Sequence, residues 1–191
     1  MLFRSTLSYN ENRQRERIRL FESGLVFSLE ADDICQVAMI AGLISGSKFP
    51  ENWSNDKELC DFYDVKGDIE VLLGLGGKID ALNFTPAQYG CFHSGQCARV
   101  DYDGEPIGHI GALHPAIARK LDLKTAPFLF ELQLDPVKSA ILPSVETLSR
   151  YPEVSRDIAI VIADSVSADA ILALIRDQAG EFLTNLRIFD V

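Results

Sequence analysis

The stretch Phe92–Pro115, FHSGQCARVDYDGEPIGHIGALHP, holds all three histidines of the chain and the glycines Gly95, Gly104, Gly108 and Gly111. Its pattern is that of a β-hairpin. Gln96 to Tyr102 alternates small or apolar residues with polar ones, Asp103-Gly104 is a turn pair, and Glu105 to Leu113 returns as a second strand. Asp-Gly supplies the positive φ angles of a tight hairpin turn, because glycine has no Cβ to clash. Gly108 and Gly111 weaken the return strand as a plain strand. They mark a bulge, or a place where another backbone or a ligand comes close.

Outward from the hairpin, the chain alternates strands and helices. Glu11 to Arg19 is charged and runs into IRLFESGLVF (Ile18 to Phe27), a β-branched and aromatic strand. Arg15, Arg17 and Arg19 then share one strand face, open to solvent beside Glu11, Glu16 and Glu22 or to phosphate or an acidic partner. Ile34 to Ser45, ICQVAMIAGLIS, is a continuous apolar run of the kind found in strands buried on both faces. Phe62, Val65, Ile69, Leu72 and Leu73 recur at helical spacing, with Asp61 as N-cap and Gly74, Gly76 and Gly77 as the stop. Asp61, Asp64 and Asp68 form a solvated stripe on that helix. Ala81 to Thr85 is a short strand, Pro115 to Leu121 a short helix, Phe128 to Leu134 a strand and Val137 to Ile141 a helical turn.

After a linker at 143–148 the pattern restarts. Asp157 to Ala163 is a strand, Ser167 caps a helix carrying Ile171, Leu172 and Ile175 on one face, and Leu183 to Val191 is another strand. That order, β-α-β, is half of a ferredoxin-like unit. The start resembles the tail of a helix and the end an unpartnered strand, so a fragment of a longer chain is expected.

Bulk properties narrow the function. With 191 residues, 47% of them hydrophobic, the chain can build a core without staples. Its 18 basic and 28 acidic residues give a net charge of −10, unlike a general binder of phosphate backbones. There is no 18-residue apolar run and no secretory signal, and Cys35, Cys60, Cys91 and Cys97 have no C-x-x-C spacing. Reduced thiols, a cytoplasmic location and no membrane partner are expected.

Reactive motifs fail on inspection. LGLGGKI lacks the glycine and the Ser or Thr of a phosphate loop, and a helix C-terminus turns the wrong dipole end to an anion. Cys91, His93, Cys97 and His109 do not have a common zinc spacing, and as a Cys–His nucleophilic pair they lack an orienting third group. No metal ligands and no catalytic residues are assigned. A small-molecule-binding regulatory α/β module, with its pocket at the Gly108/Gly111 hairpin, stands as the alternative function.

Six stretches in order resemble the β-subunit family of bacterial phenylalanine–tRNA ligases. They are RIRLFESGLVF from Arg17, DFYDVKGDIEVLL from Asp61, FHSGQCARV from Phe92, GHIGALHP from Gly108, FLFELQLD from Phe128 and SRYPEVSRDIAIVI from Ser149. The resemblance implies a mixed α/β (α+β) fold. Residues 1–142 would be a class II aminoacyl-tRNA synthetase catalytic-like module with a mainly antiparallel sheet, incomplete at its N-terminus. Residues 149–191 would be the first half of a ferredoxin-fold anticodon-binding domain, a truncated β-α-β segment.

The same resemblance implies an (αβ)2 heterotetramer in which the α subunit activates phenylalanine with ATP and Mg2+. The partners would be that α subunit and tRNA(Phe), with no cofactor held by this segment. The family's β-subunit metal carboxylates lie upstream of the module. A working class II site places two arginines on the phosphate during adenylate formation. Arg19 sits on the right kind of strand to mimic the first, and no Arg or Glu-Arg comes directly after Gly108–Leu113 to supply the second. The segment alone is therefore expected to be inactive. Arg150 and Arg156 flank Tyr151-Pro152 as a phosphate-plus-stacking contact for tRNA, or else hold the linker against the sheet. His93, Gly108, Gly111 and His114 are expected at a subunit contact.

Overall fold

A computed structural model describes residues 2–30, 33–54, 58–77, 79–138, 140 and 152–189. The chain divides into two units, Met1–Val145 and Glu146–Val191. The linker expected at 143–148 lies outside the described residues.

In the first unit, α1 (Leu2–Glu11) leads into two long strands, β1 (Arg17–Glu30) and β2 (Asp33–Gly46), followed by α2 (Phe62–Gly74). Then come β3 (Leu82–Pro86), β4 (Phe92–Tyr102), β5 (Glu105–Leu113), α3 (Pro115–Lys120), β6 (Phe128–Gln133) and α4 (Leu134–Lys138). The six strands form one antiparallel sheet in the order β1-β2-β6-β5-β4-β3. The last strand is thus inserted between two earlier hairpins, and its pairing with β2 and β5 joins them into one sheet.

The hairpin β4–β5 forms as its sequence predicts. Asp103 and Gly104 turn it with φ of 52° and 82°, both in the left-handed region. Register shifts fall in β4, between Phe92 and Cys97 and between Val100 and Asp101. What approaches the glycines of β5 is the chain itself. A Cβ on Gly108 would stand 2.0 Å from the Glu131 carbonyl oxygen and 2.8 Å from Leu132 Cα of β6. On Gly111 it would stand 2.9 Å from both the Gln96 carbonyl oxygen and the Phe92 ring.

Helices cover the sheet unequally on its two faces. On one, Val65, Ile69 and Leu73 of α2 pack with Ile44, Ala98, Val100, Ile107, Ile110 and Leu132. On the other, Phe3 and Leu7 of α1 pack over Ile18 and Leu43 at the β1–β2 end. Asp61 caps α2 through Tyr63 and Asp64, and the Asp64 carboxylate accepts from the Asp61 N–H in return, which completes a capping box. Asp68 takes the Arg19 guanidinium at 2.6 Å, and Asp64 takes Lys48 at 3.2 Å. The acidic stripe read as solvated is instead how α2 is tied to β1 and to the loop after β2.

Two further expectations are corrected. The apolar run of β2 is buried only at Gly42–Ser45, because Asp33–Ala38 pair with β1 alone among the described residues. Arg15 lies outside β1, Arg17 donates to the Lys48 carbonyl and Arg13 stacks over Tyr9, so there is no free arginine face of three.

In the second unit, taken by itself, Ser167 caps α5 (Ala168–Ala179) and Gly180 ends it with φ 62°. The strands expected at Asp157–Ala163 and Leu183–Val191 do not form ladders over the described residues 157–163 and 183–189. The reason is topological: in a split β-α-β unit the two strands flank a third and do not pair with each other.

The close approach at Gly108 makes a test. Gly108→Ala is expected to lower unfolding free energy by about 3 kcal/mol, since the obstructing atoms are backbone and cannot rotate away. Gly24→Ala in β1, where a Cβ would meet nothing within 4 Å, should be neutral or mildly stabilising. Urea midpoints for the two variants should diverge accordingly, and equal midpoints would refute the packing argument.

Candidate functional site

The face of the sheet turned away from α2 carries a polar row where α1 ends its cover. Thr85 of β3, Arg99 of β4, His109 of β5 and Glu131 of β6 are successive cross-strand partners. Asp101 shares this face two residues beyond Arg99. Strand alternation explains the segregation, since Ala98 and Val100 point to the α2 core and their neighbours to the row.

Most of the row is already satisfied. Arg99 grips Asp101 with two bonds, Nε to Oδ1 at 2.7 Å and an Nη2 bond to Oδ2 at 3.0 Å, and the Thr85 hydroxyl donates to the same carboxylate at 3.1 Å. Asp101 is buried and Arg99 half open. The pair raises the pKa of Arg99, first through the hydrogen bond and then through the charge of Asp101. A guanidinium engaged this way offers little to an incoming phosphate.

His109 stands in an aromatic bracket, with the Tyr89 ring centroid at 4.9 Å and Phe92 at 5.4 Å. Burial pushes its pKa below the ordinary histidine value, and Glu131, 3.6 Å away, opposes that shift without overcoming it. The imidazole is therefore neutral near pH 7. It is a packed histidine beside a carboxylate and not a charged pair.

The cysteines and the remaining histidines do not converge on a ligand. Among the described residues no three His, Cys, Asp or Glu side chains are grouped to hold a metal ion. Burial pushes the thiols of Cys97 and Cys60 upward, the reverse of an activated thiolate. Cys60 borders a mostly apolar cavity of about 260 Å3 lined also by Gly46, Leu59, Thr125, Ala126 and Phe128. His93 accepts from the Gly95 N–H, and His114 caps α3 by accepting from the Ala116 N–H.

Of the expected subunit-contact residues, His114 is exposed, His93 and Gly108 are half-buried and Gly111 is buried. Of the expected tRNA contacts, Arg156 is exposed, while Arg150 and Tyr151 lie outside the described residues. Arg19, expected to mimic a phosphate-binding arginine, turns to the α2 side and spends its charge on Asp68. Sequence reasoning weighed His109 only with the cysteines and passed over Thr85, Arg99, Asp101 and Glu131. The only available signal was the run Arg99-Val100-Asp101, alternating charges inside an apolar strand.

Two family models match the chain. Residues 4–134 match the phenylalanyl tRNA synthetase beta chain CLM domain, and residues 149–191 match the ferredoxin-fold anticodon binding domain. The chain belongs to the phenylalanyl-tRNA synthetase beta chain family. Among relatives, the phenylalanine–tRNA ligase beta subunit of Hahella chejuensis is 47% identical over 186 residues, covering 97% of this chain and 23% of that protein. That of Pseudomonas syringae pv. syringae is 46% identical over 185 residues with the same coverage. That of Pectobacterium atrosepticum is 42% identical over 190 residues, 98% of this chain and 24% of that protein. The chain thus spans about a quarter of the length of these relatives. No helix among the described residues is long and apolar enough to cross a membrane.

The state of His109 has a measurable consequence. A histidine whose folded pKa lies below its unfolded one binds more protons when unfolded, so it favours the fold above the unfolded value near 6.5. That contribution is lost as pH falls through the depressed folded value. The His109 ring signal should titrate in NMR below 6.5, and His109→Phe should flatten the loss of stability between pH 7 and 5. A midpoint at or above 6.5 would contradict the burial argument.

Proposed function

We propose that this chain is a catalytically silent part of the phenylalanine–tRNA ligase beta subunit. It supports ATP-dependent attachment of phenylalanine to tRNA(Phe), in the cytoplasm, through contact with the alpha subunit and with the tRNA. The first unit serves as a class II catalytic-like module. The observation carrying this reading is that the arginines on the described strands are engaged within the unit, Arg17 by the Lys48 carbonyl and the other two by carboxylates. Arg99 is held by Asp101 on the open face, and Arg19 by Asp68 on the other. No arginine of β1 faces the open side, where its residues are Ile18, Leu20, Glu22, Gly24, Val26 and Ser28. The second arginine of a class II site is expected directly after Gly108–Leu113, where the residues are His114-Pro115-Ala116-Ile117.

ATP and Mg2+ belong, in this reading, to the alpha subunit of an (αβ)2 assembly, and this segment holds neither. The regulatory-pocket alternative loses its motive, since the room beside Gly108 and Gly111 is filled by the chain's own atoms. The second unit joins the tRNA through a few placed cations, because residues 149–191 carry four Arg against seven acids. Arg156 is the exposed candidate, with Arg150 and Tyr151 beside it in sequence.

Two measurements test the reading. The chain alone should show no phenylalanine-dependent ATP–pyrophosphate exchange, while the full-length beta subunit should form a heteromer with its alpha subunit in native mass spectrometry. Exchange by the isolated chain, or failure of the full-length subunit to bind alpha, would overturn the proposal. In the full-length enzyme, Arg156→Ala is expected to weaken tRNA association several-fold and to reduce the salt slope by roughly one.

A further inference from the structure

The formal charge of the chain is unevenly placed. Asn12–Arg17 and Arg119–Lys124 hold six cations, Arg13, Arg15, Arg17, Arg119, Lys120 and Lys124, against two acids, Glu16 and Asp122. That is a net of +4 in a chain of −10, so the remaining residues carry −14. The fold brings the two segments side by side. Lys124 donates its backbone N–H to the Glu11 carboxylate and its Nζ to the Glu11 carbonyl, both at 3.4 Å. Leu123 packs with Phe3 and Leu7 of α1. The turn after α1 and the connection from α3 to β6 thus form one cationic surface, and Glu11 between them is buried.

These charges are not spent within the unit. All six cations are exposed, and among the described residues none has an ion-pair partner. Arg13, Arg17 and Lys124 bond to the carbonyls of Tyr9, Lys48 and Glu11, which orient a cation without neutralising it. Arg19 and Arg99, by contrast, are met by carboxylates. The surface also lacks apolar anchors. Across residues 3–17 and 114–126, Tyr9 alone is a large exposed apolar side chain, and the Arg13 guanidinium lies over its ring, 3.4 Å from the centroid. Protein–protein contacts are anchored by large apolar and aromatic side chains in a desolvated centre. A cationic surface without them fits a nucleic-acid backbone, and arginine forks match phosphate oxygens.

We propose that the α1–β1 turn and the α3–β6 connection form a second tRNA contact, made by the first unit to the phosphate backbone. The inference rests on the tRNA reading given above and adds to it a surface outside residues 149–191. Each cation that neutralises a phosphate releases a counterion, so the contact is salt-dependent and contributes affinity and placement in preference to sequence choice.

The test uses the full-length beta subunit assembled with its alpha subunit, and tRNA(Phe). Arg15→Ala/Lys120→Ala should weaken tRNA binding about tenfold at low salt in filter binding and lower the salt slope by about two. Lys138→Ala, at an exposed position of α4 outside the patch, should change neither. In the wild-type enzyme, tRNA should shield Lys120 from acetylation by an N-hydroxysuccinimide ester, followed by mass spectrometry, and leave Lys138 reactive. Unchanged affinity and slope in the double variant overturn the inference, as does a Lys120 that reacts equally with and without tRNA. Loss of alpha binding by the double variant in native mass spectrometry overturns it in favour of an acidic protein surface. Arg156→Ala in the same titration separates the two tRNA contacts: wild-type binding there, with a loss in the double variant, removes Arg156 and leaves the patch standing. A wild-type enzyme that binds no tRNA overturns the function reading and the inference with it.

Discussion

The first unit depends on how closely β6 lies between two strands that leave it room. On one side the Phe130 ring covers Gly42 of β2, where a Cβ would stand 2.2 Å from the ring edge; on the other, the Glu131 carbonyl sits 2.0 Å from the Cβ position of Gly108. Leu132 and Ile110 are wholly buried beside this seam, and Leu129 reaches the α1 side of the same strand. Both cores therefore share a strand only six residues long. Two glycines from distant parts of the chain create its slot, and neither could carry a side chain without moving backbone or an aromatic ring.

Much of this was legible in the sequence, and the gaps have physical causes. The hairpin at Asp103-Gly104, the α2 stripe of Val65, Ile69 and Leu73, and the Ser167 cap are local signals fixed by turn geometry or helical period. The insertion of β6 was not legible, because antiparallel pairing of Met39–Ile44 with Phe128–Gln133 leaves no mark on either segment. Arg19 and Asp68 lie 49 residues apart, and only the fold shows that the charge of one is spent on the other. The apolar run of β2 misled for a related reason. A binary pattern records that side chains shun water, not whether the cover is the chain's own or another's.

The polar row on the open face closes residue types that serve active sites on one another. Arg99, Asp101 and His109 are residue types that serve active sites, placed on the half-exposed side of an antiparallel sheet. Their geometry closes them on one another: Asp101 takes two bonds from Arg99 and one from Thr85, and His109 is held neutral between Tyr89 and Phe92. A reactive site needs a charge whose partner arrives with the substrate. Here the partner is already in place.

The distribution of burial gives the complementary half of that argument. At the β2–β6–β5 seam, side chains are enclosed within the unit, while the β1–β2 ribbon presents Phe21, Leu25, Phe27 and Leu29 to solvent. In the second unit, taken alone, Ile158, Ile160 and Phe182 are likewise exposed, and the described residues include none that is fully buried. Apolar surface of this extent costs free energy in water at roughly 25 cal/mol per Å2. The first unit leaves this surface open while Arg99 is paired with Asp101 and Arg19 with Asp68.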